Sequence, residues 1–375
     1  MIVVPAPLTQ APVRAGASAA WRQAPPRELL AATVAGLGSA VPPGRSQADL
    51  WESFFAEHYG HWDLARRLWH GCGIDTRHGV ADPCEVDVRE WGTERRMRRF
   101  NEQGLPLARE AAQGCLADAG LAPADVGLLT VVSCTGYATP GLDVMLAGEL
   151  GLDAGVQRLH IGHMGCYAAV PALATVADAA TARGKAALML CIELPSLHIQ
   201  APSEDIEQLV AHALFADAAT AAAVVPGGAG FEVRDVVART DIEHAAMMTW
   251  DVTDHGFRMG LSPQVPQVLE RHVAGVVSEL LAGHGLGVED VAAWAVHPGG
   301  PAILEVIAER VGLEQAALAE SRSVLRDFGN CSSATVMLVL DRIRRERDLL
   351  DGDPVVLMAF GPGLTLYAAL LRHRR

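Results

Sequence analysis

Apolar and polar positions follow two rhythms along this chain. Val126-Gly-Leu-Leu-Thr-Val-Val and Ala186-Ala-Leu-Met-Leu-Cys-Ile are short, unbroken apolar runs of strand length, as expected for strands buried on both faces. Ala218 to Val225 has the same character. So does the segment from Glu28 to Gly38, which leads to the turn Val41-Pro-Pro-Gly. Between these runs the period lengthens. Leu50, Trp51, Phe54 and Phe55 fall on one face of a helix over 46–59, with Ser46 or Asp49 placed to cap it. Asn101 to Ala119 and Glu207 to Leu214 also read as helices. Apolar strands that alternate with helices predict an α/β fold in which both sheet faces are covered.

A repeat sharpens that picture. Leu116-Ala-Asp-Ala-Gly-Leu-Ala-Pro-Ala-Asp-Val126 matches Leu281-Ala-Gly-His-Gly-Leu-Gly-Val-Glu-Asp-Val291 at six positions with an offset of 165 residues, and the same offset carries Cys166 onto Cys331. Each copy reads as a helix, an Asp-Val step, a buried strand, then a loop and a second helix. Two matching halves predict a duplicated fold with its site at the crevice where the halves meet, outside the strand ends. The halves are placed at 28–235 and 236–375, after an Ala/Pro-rich extension over 1–27.

Composition narrows the classes. Of 375 residues, half are hydrophobic, enough for a large core, and the net charge of −14 argues against a nucleic-acid binder. Arg66, Arg67, Arg77 and Arg95 to Arg99 are the densest internal basic residues and read as solvated surface. Seven unpaired-looking cysteines with no CxxC spacing predict a reduced, cytoplasmic protein without structural zinc. No apolar run is long and clean enough to predict a membrane span.

Chemistry gathers at three places. Cys166, in Gly-His-Met-Gly-Cys-Tyr-Ala-Ala, sits where a strand turns into a helix, and a helix N-terminus favours a thiolate nucleophile. A buried structural cysteine is the plainer reading. His297 follows the strand Ala292-Ala-Trp-Ala-Val, and Asn330 lies in Asp327-Phe-Gly-Asn-Cys-Ser-Ser. Alone, each reads as a satisfied strand-end histidine and a helix cap. The repeat instead sends all three toward the junction. There the histidine can take the thiol proton or stabilise a thiolate as imidazolium, and histidine and asparagine together can hold a thioester oxyanion. Neither role needs a metal.

Gly-Cys166-Tyr-Ala-Ala, Trp294-Ala-Val-His297-Pro-Gly-Gly-Pro-Ala-Ile-Leu, Gly329-Asn330-Cys-Ser-Ser-Ala-Thr-Val and Phe360-Gly-Pro-Gly-Leu-Thr resemble the type III polyketide synthases, the chalcone synthase family, from about Leu30 onward. Ser133-Cys-Thr-Gly-Tyr resembles the bacterial branch. The resemblance implies a thiolase-like αβαβα five-layer fold, a homodimer, and acyl-CoA and malonyl-CoA as substrates with no cofactor. It makes Cys166 the acylated nucleophile, and gives His297 and Asn330 the oxyanion hole that drives decarboxylation. Phe215 and Phe257 match its two gatekeeping phenylalanines, and Arg67 a coenzyme A phosphate contact, although the lysine expected shortly after it is Gly71. Cys134, Thr139, His198, Met248 and Ser332 match cavity positions. Pro195, His198 and Cys134 replace threonines, and Met248 replaces a glycine. The added volume predicts a small pocket and a short product, with His198 offering a polar group to the growing chain. Thr139-Pro140 is expected to be cis and near the partner subunit. Pro171 is expected to kink the nucleophile's helix or delay its start.

Two other functions compete. A carrier-protein-dependent ketoacyl synthase would need basic residues at the tunnel mouth to receive an acidic carrier. A non-catalytic module on the same fold would have lost the cysteine, the histidine or the asparagine, and all three are present.

Overall fold

A computed structural model describes residues 31–375. The Ala/Pro-rich extension over 1–27, and the first residues of the strand expected from Glu28, lie outside the described residues. The strand itself runs Ala32–Ala40.

Nine strands form one sheet in the order Ala293–Val296, Pro354–Gly361, Thr365–Arg374, Gly230–Thr240, Ala32–Ala40, Ala218–Pro226, Ala186–Glu193, Val126–Ser133 and Gln157–Gly162. The first four come from the C-terminal half and the last five from the N-terminal half. The join is slight: Gly230–Thr240 pairs with Ala32–Ala40 only at Thr33↔Glu232 and Val34↔Phe231, but with Thr365–Arg374 along its length. That strand therefore belongs to the C-terminal half. The expected boundary at 235/236 falls inside it.

Strict alternation of side chains explains why the strands read as unbroken apolar runs. In Ala186–Glu193, Ala187, Met189 and Cys191 enter a central core, while Leu188, Leu190 and Ile192 enter an outer one. Pro354–Gly361 repeats this: Val355, Leu357 and Ala359 face the centre, and Val356, Met358 and Phe360 face a second outer core. The helices Ala169–Arg183 and Ser333–Glu346 touch each other and strands of both halves, filling the central layer. Thr93–Asp118 and Leu142–Leu150 cover one outer face, and Val265–Ala282 and Pro301–Val311 the other. The result is the five-layer αβαβα arrangement. The repeat is real in three dimensions: Asp125 accepts from the Ala122 N–H at 2.8 Å, and Asp290 accepts from the Gly287 N–H at 2.7 Å, each just before its strand. No helix among the described residues is long and apolar enough to cross a membrane.

Two expectations need amending. The helix placed over 46–59 is capped by Ser46, whose hydroxyl accepts from the Asp49 N–H, but it widens to a π turn at Trp51–Phe55. The helix expected from Asn101 begins at Thr93, and so takes in Arg95 to Arg99. Of these, Arg96 is fully buried rather than solvated. Its guanidinium donates to the carbonyls of Val88, Arg89, Trp91, Leu197 and Ile199 at 2.5–3.3 Å. Five backbone acceptors replace water, which is why a buried charge is tolerated here. Burial still pulls it down to about 10. Arg96→Met is expected to lower unfolding stability by about 3 kcal/mol or more, because several buried carbonyls lose their donor. Urea unfolding measures this; a change under about 1 kcal/mol would mean that water replaces the guanidinium.

Candidate active site

The strand Gln157–Gly162 is the edge of the sheet, and the loop after it leads to the cysteine turn. His163 and Gly165 then take φ of 59° and 76° to reverse the chain. A Cβ on Gly165 would lie 2.5 Å from Pro362 Cδ, so glycine is required at that approach. Cys166 follows in a 3-10 turn, Gly165–Tyr167, and the regular helix starts at Ala169. Pro171 thus occupies the first helical turn, where its missing N–H leaves nothing unpaired. The start of the helix is delayed, as one of the two expectations held.

His297 follows the strand Ala293–Val296, its N–H bonded to Met358 O at 2.8 Å. Its ring meets Phe360 edge-on at 5.4 Å, and Gly299 leaves room for that phenyl ring. Asn330 is strapped to the segment opposite: its N–H donates to Leu214 O, and its carbonyl accepts from the Ala216 N–H, both at 2.9 Å. Its Oδ1 accepts from the Ser332 N–H at 2.9 Å. Nδ2 has only a long contact to Gly299 O at 3.5 Å, so the amide's donor end remains for a ligand.

Cys166, His297 and Asn330 line a single chamber of about 480 Å³. Its walls are mostly apolar and include Phe215, Met248 and Phe360, with Arg67 and Glu305 exposed toward the outside. Among the described residues Arg67 is the one arginine or lysine on its lining, so the mouth is not the basic surface that an acidic carrier would need.

Burial sets the protonation states. It pushes the Cys166 thiol up to about 12, against a lowering contribution from the Ser332 hydroxyl, and pulls His297 down to about 3. The imidazole's Nδ1 is buried without a partner, which further disfavours a charged ring. Both directions favour a neutral thiol and a neutral imidazole in the free enzyme, against the thiolate that the helix N-terminus favours. Thiolate grows with pH toward a raised pKa. Alkylation of the free enzyme's Cys166 by iodoacetamide is thus expected to accelerate from pH 7 to about pH 10 without a plateau. A plateau already reached below pH 7 would show a thiolate–imidazolium pair instead.

The remaining expected site residues separate. Phe215 lines this chamber and also a second, inner one of about 70 Å³. Phe257 lines only the inner one, stacked on His198 at 4.6 Å. The residue that shares both chambers with Phe215 is Met259, which the sequence reading passed over in favour of the aromatic two positions earlier. His198 offers no polar atom to a substrate. Its Nε2 bonds Thr135 O at 2.7 Å, and its Nδ1 accepts from the Phe257 N–H at 2.9 Å. Trp250 Nε1 donates to Cys134 O at 2.7 Å and meets His198 edge-on. Together these rings form one wall of the second chamber, whose lining also includes the partly exposed Arg45 and Asp82.

Cys134 and Ser332 line neither chamber. Their side chains lie 3.5 Å apart, beside a fully buried carboxylate, Glu193, that the sequence reading missed. Glu193 accepts from Thr135 Oγ1 and Ser333 Oγ at 2.6 Å and from the Cys134 N–H. Burial raises its pKa, and these donors oppose the rise. The available signal was an acidic residue closing an otherwise apolar strand. Thr139 is exposed, and the Thr139-Pro140 bond is cis. No group of three or more His, Cys, Asp or Glu side chains among the described residues is placed to hold a metal.

Comparison with known proteins places the chain in a family. The N-terminal domain of the chalcone and stilbene synthases matches residues 85–229, and the C-terminal domain matches 236–374. A 1,3,6,8-tetrahydroxynaphthalene synthase of Streptomyces peucetius is 35% identical over 91% of this chain and 93% of its own length. Pks18 of Mycobacterium tuberculosis, described as an alpha-pyrone synthesis polyketide synthase-like protein, is 34% identical over 83% of this chain and 82% of its own. The crystal structure of PKS-I from the brown alga Ectocarpus siliculosus covers 92% of this chain and 99% of its own, with a TM-score of 0.85 and 29% identity.

Proposed function

This chain belongs to the chalcone and stilbene synthase family and is a type III polyketide synthase, and we propose that Cys166 is its acylated nucleophile while His297 and Asn330 hold the reacting thioester oxygen. The observation that carries this is the convergence of the three side chains, from three separate segments, on one chamber. In loading, the Cys166 sulfur attacks the acyl-CoA carbonyl as the neutral His297 ring accepts and keeps the thiol proton, and coenzyme A leaves as thiolate. In extension, malonyl-CoA places its thioester oxygen on the Asn330 Nδ2 donor and on His297, now donating. The bond to the free carboxylate breaks, and carbon dioxide leaves. The enolate carbon attacks the acyl group on Cys166, which departs as thiolate, leaving a chain two carbons longer on coenzyme A.

Arg67 is the group offered to a coenzyme A phosphate. A homodimer is proposed through the exposed edge strand Gln157–Gly162, with exposed Leu159, Tyr137 and Val144. Seven free cysteines, six of them buried, suit a reducing cytoplasm. Relatives named for tetrahydroxynaphthalene, alpha-pyrone and 3,5-dihydroxyphenylacetyl-CoA synthesis support a small phenolic, resorcinol or pyrone product. Mass spectrometry of products from malonyl-CoA alone, then with an acyl-CoA panel, tests the reading. Product without any carrier protein is expected; strict dependence on a carrier would overturn it.

The small second chamber, about 70 Å³, supports a short product. His198→Thr removes ring volume and both backbone ties, so its product spectrum is expected to move to longer chains or larger starters. An unchanged spectrum would show that this wall does not limit chain length.

A further inference from the structure

The geometry points to Arg77 as a positioning residue that sets Phe215 and, through it, the Asn330 donor; this rests on the role proposed above for Asn330. Arg77 lies on the short strand Thr76–His78 and is buried. Its nearest acid, Asp217, spends its oxygens on the N–H groups of Ser196 and Val80 and on the Ser196 hydroxyl, and makes no ion pair with it. A buried cation without a contacting carboxylate is costly and needs an account.

The helix Ile206–Leu214 supplies one. A helix ends with carbonyls that have no partner within it, and that end attracts cations. Here each such carbonyl has its own donor. Arg77 Nη1 donates to His212 O and to Phe215 O. Gln47 Nε2 donates to Ala213 O at 3.0 Å. Leu214 O takes the N–H of Asn330 itself, and the Ala216 N–H returns a bond to the Asn330 carbonyl. The guanidinium is held over the Trp69 ring at 4.9 Å, and Trp69 is tied to Gln47 O at 2.9 Å. A Cβ on Gly329 would come within 3.3 Å of Arg77 Cγ, so the arginine's stem also backs the residue just before Asn330. One guanidinium nitrogen, Nη1, thus bridges the helix end that carries Phe215 and to which Asn330 is strapped. Burial pulls the guanidinium down to about 10, which leaves it charged at neutral pH.

If this bridge is lost and the helix end slides, the Nδ2 donor leaves the thioester oxygen, while Cys166 keeps its own turn. Arg77→Met and Arg77→Lys are to be compared with wild type and Asn330→Ala in three readings: malonyl-CoA decarboxylation resolved into kcat and KM, iodoacetamide alkylation of Cys166, and a thermal melt. Arg77→Met should lose roughly a hundredfold in decarboxylation kcat, with KM and alkylation near wild type, as displacement by about 1 Å can cost that much. Arg77→Lys keeps a cation but loses the planar group stacked over Trp69, and should fall about tenfold. If Arg77→Met does not fold, Arg77→Lys decides alone. Wild-type kcat in a folded variant, or equal loss of decarboxylation and alkylation, overturns the inference. Should Asn330→Ala itself decarboxylate normally, it is the underlying reading that fails.

Discussion

Cys166→Ala is expected to abolish polyketide formation and self-acylation while still releasing carbon dioxide from malonyl-CoA. Condensation needs a covalent acyl acceptor, and no other residue lining the chamber takes that place in the proposed mechanism. Decarboxylation needs only a malonyl thioester whose developing enolate oxygen is stabilised, and that work falls to His297 and Asn330. The Cys166 turn is held by Gly165 against Pro362, and a Cβ on Gly361 would stand 3.2 Å from the Cys166 nitrogen. Losing one sulfur leaves this backbone packing intact, so the oxygen-binding half of the chamber should survive. The check is labelled carbon dioxide release set beside product formation; product from Cys166→Ala would refute the assignment.

Asn330→Ala is expected to do the reverse. Its Nδ2 is the donor not engaged by a strong internal bond, whereas its Oδ1 is used by Ser332. Removing one oxyanion donor typically costs about a hundred- to a thousandfold in rate, and decarboxylation should fall by that much. Cys166 should still react with iodoacetamide and accept an acyl group, because the backbone bonds of residue 330 to Leu214 and Ala216 do not need the side chain. Decarboxylation at the wild-type rate in this variant would remove Asn330 from the mechanism.

What the sequence revealed and what it hid have physical causes. Strands covered on both faces advertise themselves as apolar runs, and the 165-residue offset pairs Cys166 with Cys331 at equivalent helix starts. Those signals suffice to place Cys166, His297 and Asn330 at one junction. Arg77 and Arg96 were hidden because arginine composition points to solvent, and only the fold shows carbonyls converging on them. Glu193 was hidden for the same reason. Aromatic identity points to Phe257, whereas the hairpin register places Met259 opposite Trp250 and on the lining of the reaction chamber. The helix N-terminus that favours a Cys166 thiolate is visible in sequence, and the desolvation that opposes it is not.

The most direct test of the central claim is peptide-resolved mass spectrometry of wild-type enzyme quenched in acid during turnover with a labelled acyl-CoA. The chain has seven cysteines, and Cys72 shares the chamber lining with Cys166. The account predicts the acyl label on the peptide that contains Cys166 and on no other cysteine. Label on Cys72 or Cys134, or product formation without any covalent label, would contradict it.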